Sequence, residues 1–342
     1  MQIYFYHKPN RSVEPVTDNS ANKKAKEILD DFYQNRVKLK IPSKFIERWE
    51  KVALYHPKGN LEKANSILIE PEKGAYTLRN KINDLTGKEW IKFTCSWFIF
   101  NAIKEDIKQE KALDPNSETH PATYSPTMIS DFISFFTKEG DNVLDPFMGI
   151  GSTAEACKRT GRIAYGTELN PKYHSIAIRR DENFEKNIIN GDAKLINTYG
   201  FPQIDFSISS PPYWDILNRS TGSFKKVRDK KQLDTKYSEN NLDLGNIDDY
   251  DEFIKSCAEV YVKMYDILRV GAHIVIIIKN VKKDGKFYPL AWDLAKELSS
   301  LYELKDERIW IQDKIGLAPY GYPFSWTSNI LHHYCLILKK VK

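Results

Sequence analysis

The chain has 342 residues, of which 41% are hydrophobic and 28% are charged, a composition typical of a folded protein and not of a disordered one. No apolar run reaches the roughly 18 residues of a membrane-spanning helix, and the first residues lack a signal-peptide pattern, so we expect a cytoplasmic protein with no membrane contact. The four cysteines (Cys95, Cys157, Cys257 and Cys335) lie far apart, which excludes a CxxC zinc motif and a disulfide framework. The formal net charge of +5 permits a polyanionic partner without requiring one.

The first 95 residues carry no recognisable motif. In chain order, the sequence predicts helices over 23–32 and 43–52 and a short strand over 66–69. We treat 1–95 as an N-terminal accessory region, for which target recognition and a purely structural role are equally open. Residues 96–342 are predicted to form the main domain.

From residue 141 onward, predicted strands alternate with predicted helices. The strands are expected at 142–145, 162–166, 205–209, 273–279, 304–311 and 334–338, and the helices at 152–160, 171–187, 250–268 and 288–301. Gly161 ends the first of these helices and Pro171 begins the second, as is usual for these residue types. This alternation predicts an α/β fold, with a mostly parallel sheet covered by helices on both faces.

A glycine-containing turn connects the first strand and helix of this part, with the sequence Asp145-Pro146-Phe147-Met148-Gly149-Ile150-Gly151-Ser152. Glycines let the backbone approach a ligand closely, and the start of a helix offers free N–H groups. The turn matches neither the GxGxxG dinucleotide motif nor a P-loop, which needs a lysine after the second glycine. Because the carboxylate of Asp145 repels phosphate and suits a cationic amino group, the turn favours an aminocarboxylate ligand.

Two further acids follow along the chain, Glu168 after the strand at 162–166 and Asp192 at the tip of a third strand that precedes the one at 205–209. Glu168 comes about 20 residues after the glycine turn, where a carboxylate can accept both hydroxyls of a ribose. Asp192 is placed to accept from an adenine amino group. Each acid alone fits a helix cap or a solvated surface equally well. The ordered set of three at one sheet edge instead describes S-adenosylmethionine, which combines an amino acid, a ribose and an adenine without phosphate.

The tetrad Ser210-Pro211-Pro212-Tyr213 follows the strand at 205–209. Two prolines by themselves would only end a strand and stiffen a turn, which leaves the flanking hydroxyl and ring unexplained. A hydroxyl and a free carbonyl together accept both protons of an exocyclic amine, and so localise its nitrogen lone pair. Tyr213 offers a flat face on which a base can stack, and Trp214 extends that face.

In this order, the glycine turn and the tetrad resemble the motifs of the amino-methylating DNA methyltransferases, which modify adenine N6 or cytosine N4. The upstream stretch His120-Pro121-Ala122-Thr123-Tyr124 resembles the segment that wraps the methionine end of their cofactor. The resemblance covers about 97–339. It implies a Rossmann-like S-adenosylmethionine-dependent methyltransferase fold with an antiparallel C-terminal strand, and makes 96–342 the catalytic domain.

The resemblance also implies the role of each site residue. The tetrad is catalytic. Cofactor binding falls to His120, Pro121, Ala122, Thr123, Tyr124, Asp145, Pro146, Phe147, Gly149, Gly151, Ser152, Glu168 and Asp192. Serine at the first tetrad position is typical of cytosine-N4 enzymes, whereas aspartate or asparagine is typical of adenine-N6 enzymes, so Ser210 favours cytosine N4. Transfer to the flipped base is direct and needs no metal.

Contacts with double-stranded DNA are expected in a basic loop insertion at 214–249, whose length alone suggests a function. Between residues 219 and 236 it holds seven basic residues against two acids, among them Arg219, Lys225, Lys226 and Arg228. We interpret these residues, together with Trp214, as the DNA-binding group beside the base. A solvated surface with no partner is the alternative for the charge run.

Three other functions remain open. The first is adenine-N6 methylation, because base choice depends on a single side chain. The second is methylation of an RNA base amine, which would use the same pocket and cofactor. The third is a non-catalytic nucleic-acid-binding module, against which the intact tetrad and acid row argue. A partner restriction endonuclease is an expectation from the resemblance alone.

Overall fold

The computed structural model describes five N-terminal strands and most of the chain after residue 80. The strands are β1 (Gln2–Tyr6), β2 (Val13–Pro15), β3 (Lys51–Tyr55), β4 (Ser66–Glu70) and β5 (Gly74–Thr77). Beyond them, the described residues are 80–101, 106, 124–181, 183–214, 242–283 and 285–342. By its internal contacts the chain divides into two compact units, Met1–Cys95 with Ser134–Glu139, and Ser96–Ile133 with Gly140–Lys342.

The first unit contains a five-stranded sheet of order β2-β1-β3-β4-β5, in which only β1 and β3 pair in parallel. Strand β4 confirms the strand predicted at 66–69. The helix predicted at 23–32 lies outside the described residues. Of the helix predicted at 43–52, residues 43–50 lie outside the described residues, and the prediction was wrong at 51 and 52, which belong to β3. Helix α1 (Gly87–Phe93) begins with a capping box formed by Thr86 and Glu89.

The second unit is built on an eight-stranded sheet, which confirms the predicted α/β class. Its strands are β6 (Trp97–Ile99), β7 (Asn142–Asp145), β8 (Ile163–Glu168), β9 (Ile188–Asn190), β10 (Ile204–Ser209), β11 (Leu268–Ile278), β14 (Glu303–Ile311) and β15 (His332–Lys339). They lie in the order β6-β14-β15-β11-β10-β7-β8-β9. Only β15 runs antiparallel to its neighbours, β11 and β14. A separate two-stranded ribbon joins β12 (Val281–Lys283) to β13 (Lys286–Tyr288).

Six described helices accompany these strands: α2 (Pro126–Phe136), α3 (Ser152–Thr160), α4 (Pro171–Ile178), α5 (Phe184–Asn187), α6 (Tyr250–Met264) and α7 (Leu290–Leu298). The single helix predicted at 171–187 was wrong, since α4 and α5 are separate. Asp181 accepts a hydrogen bond from the backbone N–H of Asn183, and this local turn competes with helix continuation.

The core of this unit forms where β10, β11 and β15 pack against α6 and α7. Phe253 and Tyr261 of α6 and Leu294 of α7 are fully buried there, against the continuous apolar run at the end of β11. A strand apolar on both faces is typical of a covered parallel sheet. Within the described part of the chain, no helix is long and apolar enough to cross a membrane.

The strand order determines where a ligand can bind. Strands β8 and β9 lie on one side of β7, whereas β10 and β11 lie on the other, so the chain changes direction between β7 and β10. Open α/β sheets bind ligands at the carboxyl ends of their strands beside such a switch point. The residues that follow β7, β8, β9, β10 and β11 therefore meet at one edge.

Candidate active site

A cavity of about 1110 Å³ opens at this edge of the sheet. Its volume lies just above the usual range for small-molecule sites, which leaves room for a nucleoside ligand and a base together. The predicted residues on its wall are Tyr124, Pro146, Phe147, Gly149, Ser152, Glu168, Asp192, Ser210, Pro211, Pro212 and Tyr213. Segments far apart in sequence thus converge on a single cavity.

Gly151 lies off the cavity wall, in contrast to the cofactor-binding role that we predicted for it. It precedes α3 with a left-handed φ of +89°. A Cβ atom at this position would lie 3.1 Å from the Cβ of Ala177, so glycine is needed for the close approach to α4. Gly151 therefore shapes the turn, and Gly149 is the glycine that lines the cavity.

Asp145 also lies off the wall of this cavity, and its predicted contact with a ligand amino group stays a prediction. The side chain is only 1% exposed. One carboxylate oxygen accepts from the backbone N–H of Phe147 at 2.9 Å, and the other accepts from the Thr153 hydroxyl at 2.5 Å. Burial raises the pKa of Asp145 to about 7, although the two hydrogen bonds act to lower it. Asp145 thus ties the glycine turn to the start of α3.

Three other acids line the cavity: Glu168, Asp192 and Asp243. Glu168 accepts from the backbone N–H groups of Gly149 at 2.7 Å and Asn170 at 2.8 Å, which fixes its carboxylate at the end of β8. Asp192 accepts from the N–H of Lys194 at 2.9 Å. Asp243 is buried, and burial raises its pKa. The sequence analysis missed Asp243, although the turn that it caps at Leu244–Asn246 would have indicated local order within the predicted loop.

We expect cofactor affinity to rise with pH because of Glu168. Burial raises the pKa of this group to about 7, so a large fraction is protonated at pH 6. Hydroxyl donors bind the ionised carboxylate more tightly than the protonated one, so cofactor binding releases a proton. The affinity for S-adenosylmethionine should therefore rise by up to about tenfold between pH 6 and pH 8. Calorimetric titration with S-adenosylmethionine at pH 6, 7 and 8 measures this.

Glu168→Gln should weaken binding and flatten this pH dependence, whereas Glu185→Gln, a change at an exposed position of α5, should leave the profile intact. A wild-type affinity that does not change with pH would contradict the role of Glu168.

The tetrad forms a polar corner directly after β10. The Ser210 hydroxyl lies close to the phenols of both Tyr124 and Tyr213. Burial raises the pKa of Tyr213 to about 12 and holds that of Tyr124 well above its usual value, so both phenols stay protonated. A hydroxyl offers one donor and two acceptor positions, so Ser210 can accept a hydrogen bond from a ligand in the cavity.

Trp214 does not extend this corner, and the stacking role predicted for it is corrected. The ring is 3% exposed and is absent from the cavity wall. Its indole N–H donates to the backbone oxygen of Asp248 at 3.2 Å, and the ring packs against Tyr250 and Tyr288. Trp214 therefore anchors the chain after the tetrad in the core.

An aromatic wall that the sequence analysis missed lies next to Tyr213. His333 of β15 is only 8% exposed, lines the cavity, and stacks on Trp310 with ring centroids 4.5 Å apart. Its Nδ1 has no hydrogen-bond partner among the described residues. Burial lowers its pKa to about 3, so the ring is neutral. Lys279, after β11, also lines the cavity, and burial lowers its pKa.

Several predicted site residues lie outside the described part of the chain. They are His120, Pro121, Ala122 and Thr123 of the methionine-end segment and Arg219, Lys225, Lys226 and Arg228 of the basic loop. Their assignments stay predictions. Over the described ranges, no group of three or more His, Cys, Asp or Glu residues is arranged to hold a metal ion.

Fold and site together define an α/β protein with a nucleoside-sized cavity at the carboxyl edge of a methyltransferase-type sheet. The sequence model of the N6/N4 DNA methylases, described as DNA methylase, matches residues 4–179, just over half of the chain. The chain belongs to this family of amino-methyltransferases, whose cofactor is S-adenosylmethionine.

Curated relatives match over short segments. Type II methyltransferase M.Cfr9I of Citrobacter freundii is 40% identical over 75 residues, which are 22% of this chain and 25% of the relative. Orphan methyltransferase M.BamHII of Bacillus amyloliquefaciens is 38% identical over 76 residues, 22% of this chain and 29% of the relative. The matched segments thus span about a quarter of these relatives' lengths.

Solved structures resemble the chain more distantly. TrmN from Thermus thermophilus is 14% identical with a TM-score of 0.42, over 68% of this chain and 53% of that protein. A methyltransferase from Pyrococcus furiosus is 17% identical with a TM-score of 0.40, over 70% of this chain and 95% of that protein.

Proposed function

We propose that this protein is a site-specific DNA methyltransferase that transfers a methyl group from S-adenosylmethionine to N4 of a flipped cytosine. The observation that carries the proposal is the position of Ser210. Its side chain lies directly after β10, on the wall of the cavity and close to two phenols. Family membership supports amino methylation, and the choice of cytosine is the finer part of the proposal.

The cavity wall fits the proposed cofactor. Glu168 is oriented by two backbone N–H groups and keeps lone pairs for the ribose hydroxyls, while Asp192 can accept from the adenine amino group. Asp243 supplies a third wall carboxylate, and we assign to it the attraction for the cationic amino group that the sequence had suggested for Asp145. Three acids on one wall disfavour phosphate, so a nucleoside ligand without phosphate fits better than a nucleotide.

The tetrad suits an exocyclic amine. The bound cofactor supplies a methyl group already activated on a sulfonium, so the protein's task is to hold and aim the amine. Ser210 and the carbonyl of Pro211 accept its two N–H groups, which directs the nitrogen lone pair toward the methyl group. Tyr213 gives the extruded base a face on which to stack.

Two nitrogens on the wall favour cytosine over adenine. Lys279 and His333 line the same cavity as Ser210, and each can donate to a ring acceptor of the base. Next to N3, cytosine carries a second acceptor, O2, whereas adenine carries a C–H group next to N1. A pair of donors therefore has two partners on cytosine and only one on the same edge of adenine.

The remaining predictions complete the proposal. Residues 1–95 act as an accessory region, and 96–342 as the catalytic domain. Double-stranded DNA is the substrate, in a cytoplasmic setting, with a restriction endonuclease as the candidate biological partner. The matched relatives are named as Type II or orphan methyltransferases, which is compatible with either the presence or the absence of such a nuclease.

We expect the basic loop to bind DNA phosphates. Changing Lys225, Lys226 and Arg228 to glutamine removes three positive charges. DNA affinity should fall, and the slope of log affinity against log salt should flatten by up to about 2.7, at 0.9 per phosphate contact. Fluorescence anisotropy with duplex DNA at several salt concentrations measures both quantities.

The matched control neutralises Lys255, Lys263 and Lys296 on α6 and α7, which changes the net charge equally. Equal effects of the two triple variants would mean that the loop makes no specific phosphate contacts.

Nucleoside analysis tests the proposed function. Unmodified DNA is incubated with the protein and S-adenosylmethionine, digested to nucleosides and analysed by mass spectrometry. N4-methylcytosine is the expected product. N6-methyladenine would overturn the choice of base, methylation of RNA in preference to DNA would overturn the substrate, and the absence of any product would favour a binding module.

A further inference from the structure

The connection between β14 and β15 presents an unusual surface. This aromatic loop, residues 312–331, is 20 residues long and contains neither helix nor strand. Phe324 is 95% exposed, Trp326 is 87% exposed and Tyr322 is 80% exposed. Compact domains rarely contain loops of this length without a functional reason, and a group of exposed aromatic side chains indicates an interaction site.

The aromatic side chains are held on a pinned loop. The backbone of Ala318 exchanges two hydrogen bonds with the side-chain amide of Asn329, which closes the loop at its base. Lys282 of β12 donates to Thr327 and to the backbone oxygen of Ser328. Gly321 adopts a φ of +82°, and a Cβ atom there would lie 2.5 Å from the Ser325 hydroxyl oxygen. The exposed rings are therefore presented by a defined backbone.

The loop forms part of the rim of the cavity. Tyr320, Gly321 and Trp326 line it together with Ser210 and Tyr213 of the tetrad. Trp326 thus belongs both to the cavity wall and to the exposed aromatic side chains of the loop. A base in the cavity therefore has this loop on one of its walls.

The chemistry of the loop indicates its partner. Residues 315–331 contain no charged side chain, so this stretch offers no cation for DNA phosphates. Exposed aromatic rings instead stack on nucleobases, and apolar wedges inserted between base steps compensate for lost stacking. A base that must leave the duplex to reach a cavity leaves such a gap behind.

We propose that Phe324 and Trp326 form a wedge that stacks on the bases exposed when the target cytosine leaves the duplex. The inference rests on the proposed function and identifies a further part of the DNA interface, distinct from the basic loop. The wedge acts on extrusion of the base and not on methyl transfer. Its contribution is therefore largest when the target is paired and small when the target is already unpaired.

The test compares two substrates that differ only in pairing. The target site is first identified by sequencing DNA methylated by the wild-type protein. One duplex then carries the target cytosine opposite guanine, and the other carries it opposite an abasic residue. For the variant Phe324→Ala/Trp326→Ala, kcat/KM on the paired duplex should fall about 10- to 100-fold, the equivalent of losing one stacking contact. On the duplex with the unpaired target, the kcat/KM of the variant should return most of the way to the wild-type value.

Matched controls separate this role from a structural one. Both replaced side chains are exposed, so the melting temperature should not change. Trp292→Ala removes a half-exposed tryptophan of α7 that does not line the cavity, and should affect neither substrate. Sedimentation of wild type and variant tests whether the rings join two copies of the chain.

Each outcome bears on the proposal. An equal fall in kcat/KM on both duplexes, or no fall on either, would overturn the proposal of a wedge and leave the proposed function intact. A dimer that dissociates in the variant would show that the rings bind a second copy of the chain, and would also overturn it. A wild-type protein that methylates no DNA would overturn the proposed function and, with it, the role in extrusion.

Discussion

Replacing Ser210 with alanine is expected to lower the rate of methyl transfer about 100-fold, the scale measured when one preorganised polar contact to a reacting group is removed. The hydroxyl is a proposed acceptor for an amine proton, and its removal would leave the Pro211 carbonyl to hold the base amine alone. The side chain does not contact the acids assigned to the cofactor, so the affinity for S-adenosylmethionine should not change. Single-turnover kinetics and calorimetric titration measure the two effects separately.

A neighbouring serine provides the matched control. Ser209 is fully buried and hydrogen-bonds with the Tyr261 hydroxyl at 2.9 Å, and neither residue lines the cavity. Ser209→Ala should therefore lower stability without changing the rate per folded molecule. If Ser210→Ala transferred methyl groups as fast as the wild type, or lost cofactor affinity and rate together, the role assigned to this hydroxyl would be wrong.

Substitutions of Asp145 should affect the protein through the glycine turn. Asp145→Ala leaves the N–H of Phe147 and the buried hydroxyl of Thr153 without their acceptor. We expect the free energy of unfolding to fall by about 2–4 kcal/mol, because buried polar groups without partners are costly. Cofactor affinity should fall as well, since Gly149 and Phe147 on the cavity wall are held by this turn. Urea unfolding and calorimetric titration measure both changes.

The conservative variants separate an indirect role from a direct one. Asp145→Asn can still accept from Phe147 and bond with the Thr153 hydroxyl, so it should keep most of the affinity for S-adenosylmethionine. Asp243→Asn removes a charge from the wall itself and should lose more affinity. The reverse order would mean that Asp145 contacts the amino group of the ligand directly, and would contradict the assignment made from the geometry.

Local signals in the sequence predicted the elements that surround the site. The helix at 152–160 has the predicted bounds because Gly161 adopts a left-handed φ of +71° and its N–H satisfies the carbonyls of Cys157 and Lys158. The strand at 142–145 is equally well defined by its short apolar run and the turn that follows. The order of acids and tetrad along the chain was enough to place Glu168, Asp192 and Ser210 at one sheet edge.

The directions of individual side chains and the long-range pairing of strands could not be predicted from the sequence. Asp145 lies off the cavity wall because the Thr153 hydroxyl, eight residues later, donates a hydrogen bond to its carboxylate, and no pattern encodes that contact. Trp214 follows Tyr213 directly, yet its ring enters the core. His333 reaches the cavity only because β15 inserts between β11 and β14, which brings it beside a tetrad more than 100 residues earlier. Tertiary pairing of this kind overrides local expectation.

A crystal structure with S-adenosylmethionine bound tests the central claim most directly. We expect the ribose hydroxyls to contact Glu168, the adenine amino group to face Asp192, and the methyl group to point toward Ser210 and the face of Tyr213. A cofactor bound outside this cavity, or one inside it whose methyl group points away from Ser210, would contradict the account.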